Sequence, residues 1–129
     1  MALIASAVVA LAALLHVYIF LMESAWWSRP STWKRFGVPS QEAADTTRPM
    51  AYNQGFYNLF LAIGAASGLV AYWSGAEAAG AALILFSTGC MLGAAIVLTT
   101  TGPGYLRPAL VQGSLPLVGI VLFAIALAL

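Results

Sequence analysis

Four stretches of about twenty apolar residues, separated by short breaks, limit what this chain can fold into. They run over about Ala2–Met22, Ala51–Trp73, Ala78–Thr99 and Leu106–Leu127. Each is long enough to cross the hydrocarbon core of a bilayer as a helix. The breaks fall at helix-disfavouring residues: Pro30, Gly37 and Pro39, then Ser74–Gly75, then Gly102–Pro103–Gly104. Backbone groups inside lipid must pair within their own segment or in a closed barrel. The runs lack the alternation of a membrane barrel. They therefore predict an all-α, four-helix antiparallel membrane bundle, one domain over residues 1–129.

Composition closes the other routes. Hydrophobic residues make up 62% and charged residues 7%, against about 25% charged in a soluble domain. A net charge of +1 with no basic stripe argues against nucleic acid as a partner. The single cysteine, Cys90, excludes a disulfide scaffold. Membrane lipids are the expected surroundings.

The charges set an orientation. Arg29, Lys34, Arg35 and Arg48 lie in the first loop, about Ser24–Met50, and Arg107 in the third, whereas the second loop holds only Glu77. The positive-inside rule puts the first and third loops in the cytoplasm and both termini on the non-cytoplasmic side of the inner membrane. Trp26, Trp27, Trp33 and Tyr52 form an aromatic belt at the cytoplasmic interface, with Tyr72 and Trp73 at the other. The first span lacks a basic leader and a cleavage site and is expected to be retained.

Within the first loop, Ser31–Gly37 reads as a short interfacial helix, Ser31 its cap and Gly37 its terminator. Ser40 caps another short turn with Glu42 in its first turn, and Pro49 starts or kinks the second span. Gly64 with Gly68, and Gly89 with Gly93, form two GxxxG pairs. These predict a tight hairpin of spans two and three, or a face for a homo-oligomer.

The polar residues of the spans gather in the cytoplasmic half: His16 and Glu23, then Asn53, Gln54, Tyr57 and Asn58, then Gln112. With Glu23 and Ala51 set at one boundary and a rise of about 1.5 Å per residue, His16 is predicted level with Asn58, about 10 Å inside. Leaving such groups in hydrocarbon costs several kcal/mol each, so they turn inward or line a wet cavity. Taken singly, an amide is packing glue and a histidine a satisfied core residue. Together they predict a polar pocket facing the cytoplasm. His16 and Glu23 are candidate acid and base, and Asn53, Gln54, Tyr57, Asn58 and Gln112 candidate binding residues. The single His–Glu pair gives too few ligands for a metal site, and no cofactor motif is present.

The run His16–Val17–Tyr18–Ile19 with Glu23 and Trp27, then Asn53–Gln54–Gly55–Phe56–Tyr57–Asn58 with Phe60–Leu61–Ala62, then Val111–Gln112–Gly113 with Pro116 and Gly119, is similar to the signatures of a small bacterial membrane family. That family is catalogued as domain of unknown function number 1304. Ser114–Leu115–Pro116 departs from its usual Pro-Ala placement. The resemblance implies a four-helix membrane bundle and supplies no activity.

Three functions fit these features. One is a pocket for a small lipophilic or amphiphilic ligand, including an isomerase-type acid–base enzyme. A second is a small proton-coupled transporter. The third is a structural or accessory subunit of a larger membrane complex.

Overall fold

The computed structural model describes residues 1–129, the side chain of Pro103 excepted. Helix α1, Ala2–Phe20, runs into one π-helical turn, Leu21–Ala25. A short helix α2, Pro30–Trp33, is followed by a 3₁₀ turn, Lys34–Phe36. Then come α3, Gln41–Trp73, α4, Glu77–Thr99, and α5, Leu106–Ala128. The four long helices alternate in direction. Helix α1 packs on α3 and α5, and α4 packs on the same two, so α1 and α4 face each other across the diagonal.

All four long helices have the length and hydropathy to cross a membrane. Their outward positions carry Leu3, Leu11, Phe60, Val70, Phe86, Val97, Leu110 and Val121, all exposed in the isolated chain. So continuous an apolar surface suits lipid, not water. The inward positions are small. Ala5, Val9, Ala12, Ala13, Ala62 and Ala65 pack with Ile84, Met91 and Phe123. Small side chains let helix backbones approach, and dense contact then supplies the attraction that the hydrophobic effect cannot supply inside a bilayer.

Helix α3 differs from the expected span. It begins at Gln41, ten residues before Ala51, and continues through Pro49 as one helix of 33 residues. At about 1.5 Å per residue that is roughly 50 Å, far more than a bilayer core needs. The first turns carry Glu42, Asp45 and Arg48 and stand beyond the apolar segment. Ser40 is a cap as expected, but of this long helix and not of a separate short turn: its Oγ accepts from the Ala43 N–H at 3.1 Å. Pro49 removes one backbone bond but does not break the helix, because the extension is braced from outside. Trp27 and Trp33 pack on Ala44 and Ala51, with Phe36 and Val38 alongside. The Trp27 indole donates to the Ala44 carbonyl at 2.8 Å, and that of Trp33 to Gln41 Oε1 at 3.1 Å.

In the loop helix Ser31 is not the cap. Arg29 occupies the cap position and Pro30 the first helical one. Proline is suited to that place because its fixed φ is helical and its missing N–H has no partner there anyway. Gly37, at φ 75°, ends the segment as expected.

The α3–α4 hairpin closes through Gly64, Gly68 and Gly80. A Cβ on Gly68 would lie 2.8 Å from the Ile84 nitrogen, and one on Gly80 would overlap the Tyr72 backbone. Gly89 and Gly93 take no part, for a Cβ on either meets nothing within 4 Å. Antiparallel packing brings Gly68 onto Gly80–Ile84 and Gly64 onto Ser87, leaving the second GxxxG pair on another face of α4. The Gly64/Gly68 face, one of the two offered for self-association, is thus covered within the chain.

Candidate functional site

The site begins with the π turn. The Trp26 N–H donates to the Leu21 carbonyl, five residues back, at 2.9 Å. Such a turn holds one residue more than an α turn and re-aims the side chains on it. Here it turns Glu23 inward against α3, and Glu23 is 8% exposed. The turn can approach because α3 presents Gly55, where a Cβ would overlap Ser24 Oγ and stand 3.2 Å from the Phe20 carbonyl oxygen. Ser24 Oγ donates to the Tyr52 carbonyl at 3.4 Å, and Phe20 packs edge-on against Phe56, 5.1 Å between centroids.

One helical turn along α3 from Gln54, the buried Asn58 amide nitrogen donates to Glu23 Oε2 at 2.9 Å and to the Gln54 carbonyl at 3.1 Å. The amide thereby fixes the carboxylate to the α3 backbone. Among the described residues no basic side chain pairs with it. Arg29 lies over the Trp26 ring at 5.3 Å, Lys34 over Trp33 at 5.5 Å, and Arg35 donates to the Tyr18 hydroxyl at 3.3 Å.

Glu23 lines a cleft of about 380 Å³ at the α2 end of the bundle. Trp27, Phe36 and Val38 of the loop form one wall, the two rings 5.3 Å apart and tilted. The α3 extension forms the other, with Thr47, Met50, Ala51, Asn53 and Gln54. Asn53, Gln54 and Met50 are exposed at its mouth. A carboxylate, two amides and a hydroxyl thus border a largely apolar space.

The predicted polar layer divides in two. Glu23, Asn53 and Gln54 line the cleft, and Asn58 holds Glu23 from behind. His16 lies elsewhere. It is fully buried, its Nδ1 donates to the Ala12 carbonyl at 2.9 Å, and its Nε2 has no partner. Gln112 is half-buried on α5 and does not border the cleft. Gly119 packs against Val9, with 3.2 Å from an added Cβ to Val9 Cγ2. Seven residues on, each helix returns to nearly the same face. Gln112 and His16 therefore share a level between α5 and α1, without a hydrogen bond joining them. Tyr57 points away, 58% exposed on the outer face.

The expected depth is also corrected. Glu23 faces Gly55 and Asn58, one to two turns farther along α3 than Ala51, and Asn58 is level with Glu23 and not with His16. The shared boundary at Ala51 fails because the π turn seats on Gly55, where the missing side chain leaves room for it.

Trp27, Phe36, Val38, Thr47, Met50 and Ala51 were not among the predicted site residues. Trp27 read only as part of an interfacial belt. The Ser40 cap, Glu42 in the first turn and the absence of glycine or proline from Gln41 to Arg48 are the signal that could have pointed to the second wall. Among the described residues no three His, Cys, Asp or Glu side chains come together.

Fold and site together define a multi-pass helical membrane protein with an acidic cleft at one end of its bundle. The chain belongs to the family described as Protein of unknown function (DUF1304), whose profile matches residues 10–124 and so spans the π turn, both cleft walls and Gln112. Searches of curated proteins and of solved structures find no match.

Proposed function

We propose that this protein binds a small amphiphilic molecule in the Glu23 cleft, with its polar head at the carboxylate and its apolar body along Trp27, Phe36, Val38 and Met50. The observation that carries this reading is a nearly buried carboxylate, held by Asn58, on the wall of a cleft of about 380 Å³. That volume lies in the range of small-molecule sites. A carboxylate costs several kcal/mol to desolvate and is rarely kept at such a place for adhesion alone. The basic first and third loops put this end in the cytoplasm, with both termini across the inner membrane. Ligand then enters from the cytoplasmic interface.

Binding is favoured here over acid–base turnover. An isomerase needs both groups within hydrogen-bond reach of one substrate. Glu23 borders the cleft and His16 does not. Glu23 is the anchoring group in this reading, with Asn53 and Gln54 at the mouth.

The test is thermal unfolding of the purified protein in nanodiscs with 4-phenylbutylamine, 4-phenylbutanol or 4-phenylbutyrate. At least one should raise the midpoint of the wild type. The same compound should leave Thr47→Trp unmoved, since that side chain fills the cleft from a half-buried wall position. No shift with any of the three, or an equal shift in the filled variant, removes the cleft as a ligand site.

A further inference from the structure

The three head groups in that panel are not equivalent, and the cleft is built for one of them. We infer that its ligand is an organic cation, a lipophilic amine or quaternary ammonium, with the positive head between Glu23 and the Trp27–Phe36 wall. This inference rests on reading the cleft as a ligand site and adds the charge of the ligand.

Three observations carry it. First, among the described residues no charged group pairs with the carboxylate. Its one side-chain hydrogen bond comes from the neutral Asn58 amide, at 2.9 Å to Oε2. A carboxylate offers about four acceptor sites over its two oxygens, so most of its capacity stays free for a donor cation.

Second, three basic side chains at this end are committed elsewhere, and Arg48, next to Thr47 on α3, is exposed and outside the cleft lining. Arg29 and Lys34 lie over Trp26 and Trp33, and Arg35 bonds Tyr18. Among the described residues no lysine or arginine lines the cleft. An anionic head would meet Glu23 with nothing to neutralise either charge, whereas a cationic head supplies the missing partner.

Third, the wall beside the carboxylate is aromatic. Trp27 and Phe36 pair at 5.3 Å, and the Trp27 indole N–H is already satisfied by the Ala44 carbonyl at 2.8 Å. With that donor used, the two rings have carbon surface and no free polar hydrogen to offer a ligand. Aromatic faces attract ammonium groups by about 0.5–2 kcal/mol, and quaternary ammonium is the ligand class such walls recognise. Val38 and Met50 extend the surface for an alkyl or aryl tail.

The experiment compares four ligands with one body: 4-phenylbutylamine, its trimethylammonium counterpart, 4-phenylbutanol and 4-phenylbutyrate. Affinity is read from quenching of tryptophan fluorescence in nanodiscs. Both cations should bind wild type about tenfold or more tightly than the alcohol, and the carboxylate should bind most weakly. Glu23→Gln keeps an acceptor for Asn58 and removes the charge. It should bring cations and alcohol to similar affinity while alcohol binding persists. If the alcohol or the carboxylate binds wild type as well as the amine, or if the cation preference survives in Glu23→Gln, the inference is overturned and the cleft remains an amphiphile site. If none of the four binds, the proposed function falls with it. The wild-type ranking needs no variant, so it decides the matter even if Glu23→Gln does not fold.

Discussion

The Asn58 side-chain amide donates to the Glu23 carboxylate at 2.9 Å across 35 positions of sequence, and it is the side-chain hydrogen bond that joins α3 to the buried carboxylate. Because the same nitrogen also donates to the Gln54 carbonyl at 3.1 Å, the carboxylate is fixed to the α3 backbone at the mouth of the cleft.

Removing that amide should be costly. Asn58→Ala leaves a buried carboxylate without its side-chain donor, and a loss of about 1–3 kcal/mol is expected. Asn58→Asp sets two carboxylates against each other and should destabilise more. Glu23→Gln in the Asn58→Asp background restores an amide–carboxylate pair with the roles exchanged. A double-mutant cycle by urea unfolding in micelles should therefore show coupling on the order of 1–2 kcal/mol. Additive effects of the two changes would mean that the bond holds nothing together.

Glycine positions give a paired test of the packing. Gly55→Ala drives a methyl into Ser24 and toward the Phe20 carbonyl, so a loss of about 1–3 kcal/mol and displacement of the π turn are expected. Gly89→Ala meets nothing within 4 Å. It should be neutral or stabilising by up to about 1 kcal/mol through helix propensity. Thermal midpoints of the two variants check the order, and a reversed order would contradict the register of α3 against α1.

His16 is expected to be dispensable for the cleft. Its Nε2 is buried without a partner, and it does not border the ligand space. His16→Leu, of similar size, loses the 2.9 Å bond to Ala12 and removes an unsatisfied buried atom. Stability within about 1 kcal/mol of wild type and unchanged affinity for 4-phenylbutylamine are expected. A loss of ligand affinity in a folded His16→Leu protein would return His16 to the site.

Four apolar runs and their breakers were enough to read the bundle, because membrane crossing fixes helix length and forbids open backbone. The same scarcity makes the polar exceptions stand out, so the sequence alone marks Glu23, Asn58 and His16 as inward-facing. Two features were not readable. Pro49 marks a helix start in most contexts, and only the packing of Trp27 and Trp33 on Ala44 and Ala51 carries α3 through it. The π turn has no local signature either. It depends on Gly55, 32 residues beyond Glu23 in the chain, leaving room for the turn to close on α3. Both features arise from tertiary contact, and between them they separate the expected single pocket into a cleft at Glu23 and a buried level at His16.

Trp27 ties the loop to α3 and walls the cleft at once. Trp27→Phe keeps the ring but loses the 2.8 Å bond to the Ala44 carbonyl. A stability loss of about 0.5–1.5 kcal/mol is expected, with faster proteolysis between Ser28 and Ser40. Unchanged loop cleavage would show that the indole bond does not hold the wall.

The claim that the cleft receives a ligand is tested most directly by chemical protection. In a Cys90→Ala background, Thr47→Cys places a thiol on the half-buried cleft wall, and Thr100→Cys places one at an exposed position beyond α4. Saturating 4-phenylbutylamine should slow maleimide labelling at position 47 by about tenfold, leave position 100 unchanged, and need about tenfold more amine for the same protection when Glu23→Gln is added. Equal labelling rates at position 47 with and without the amine would contradict the account.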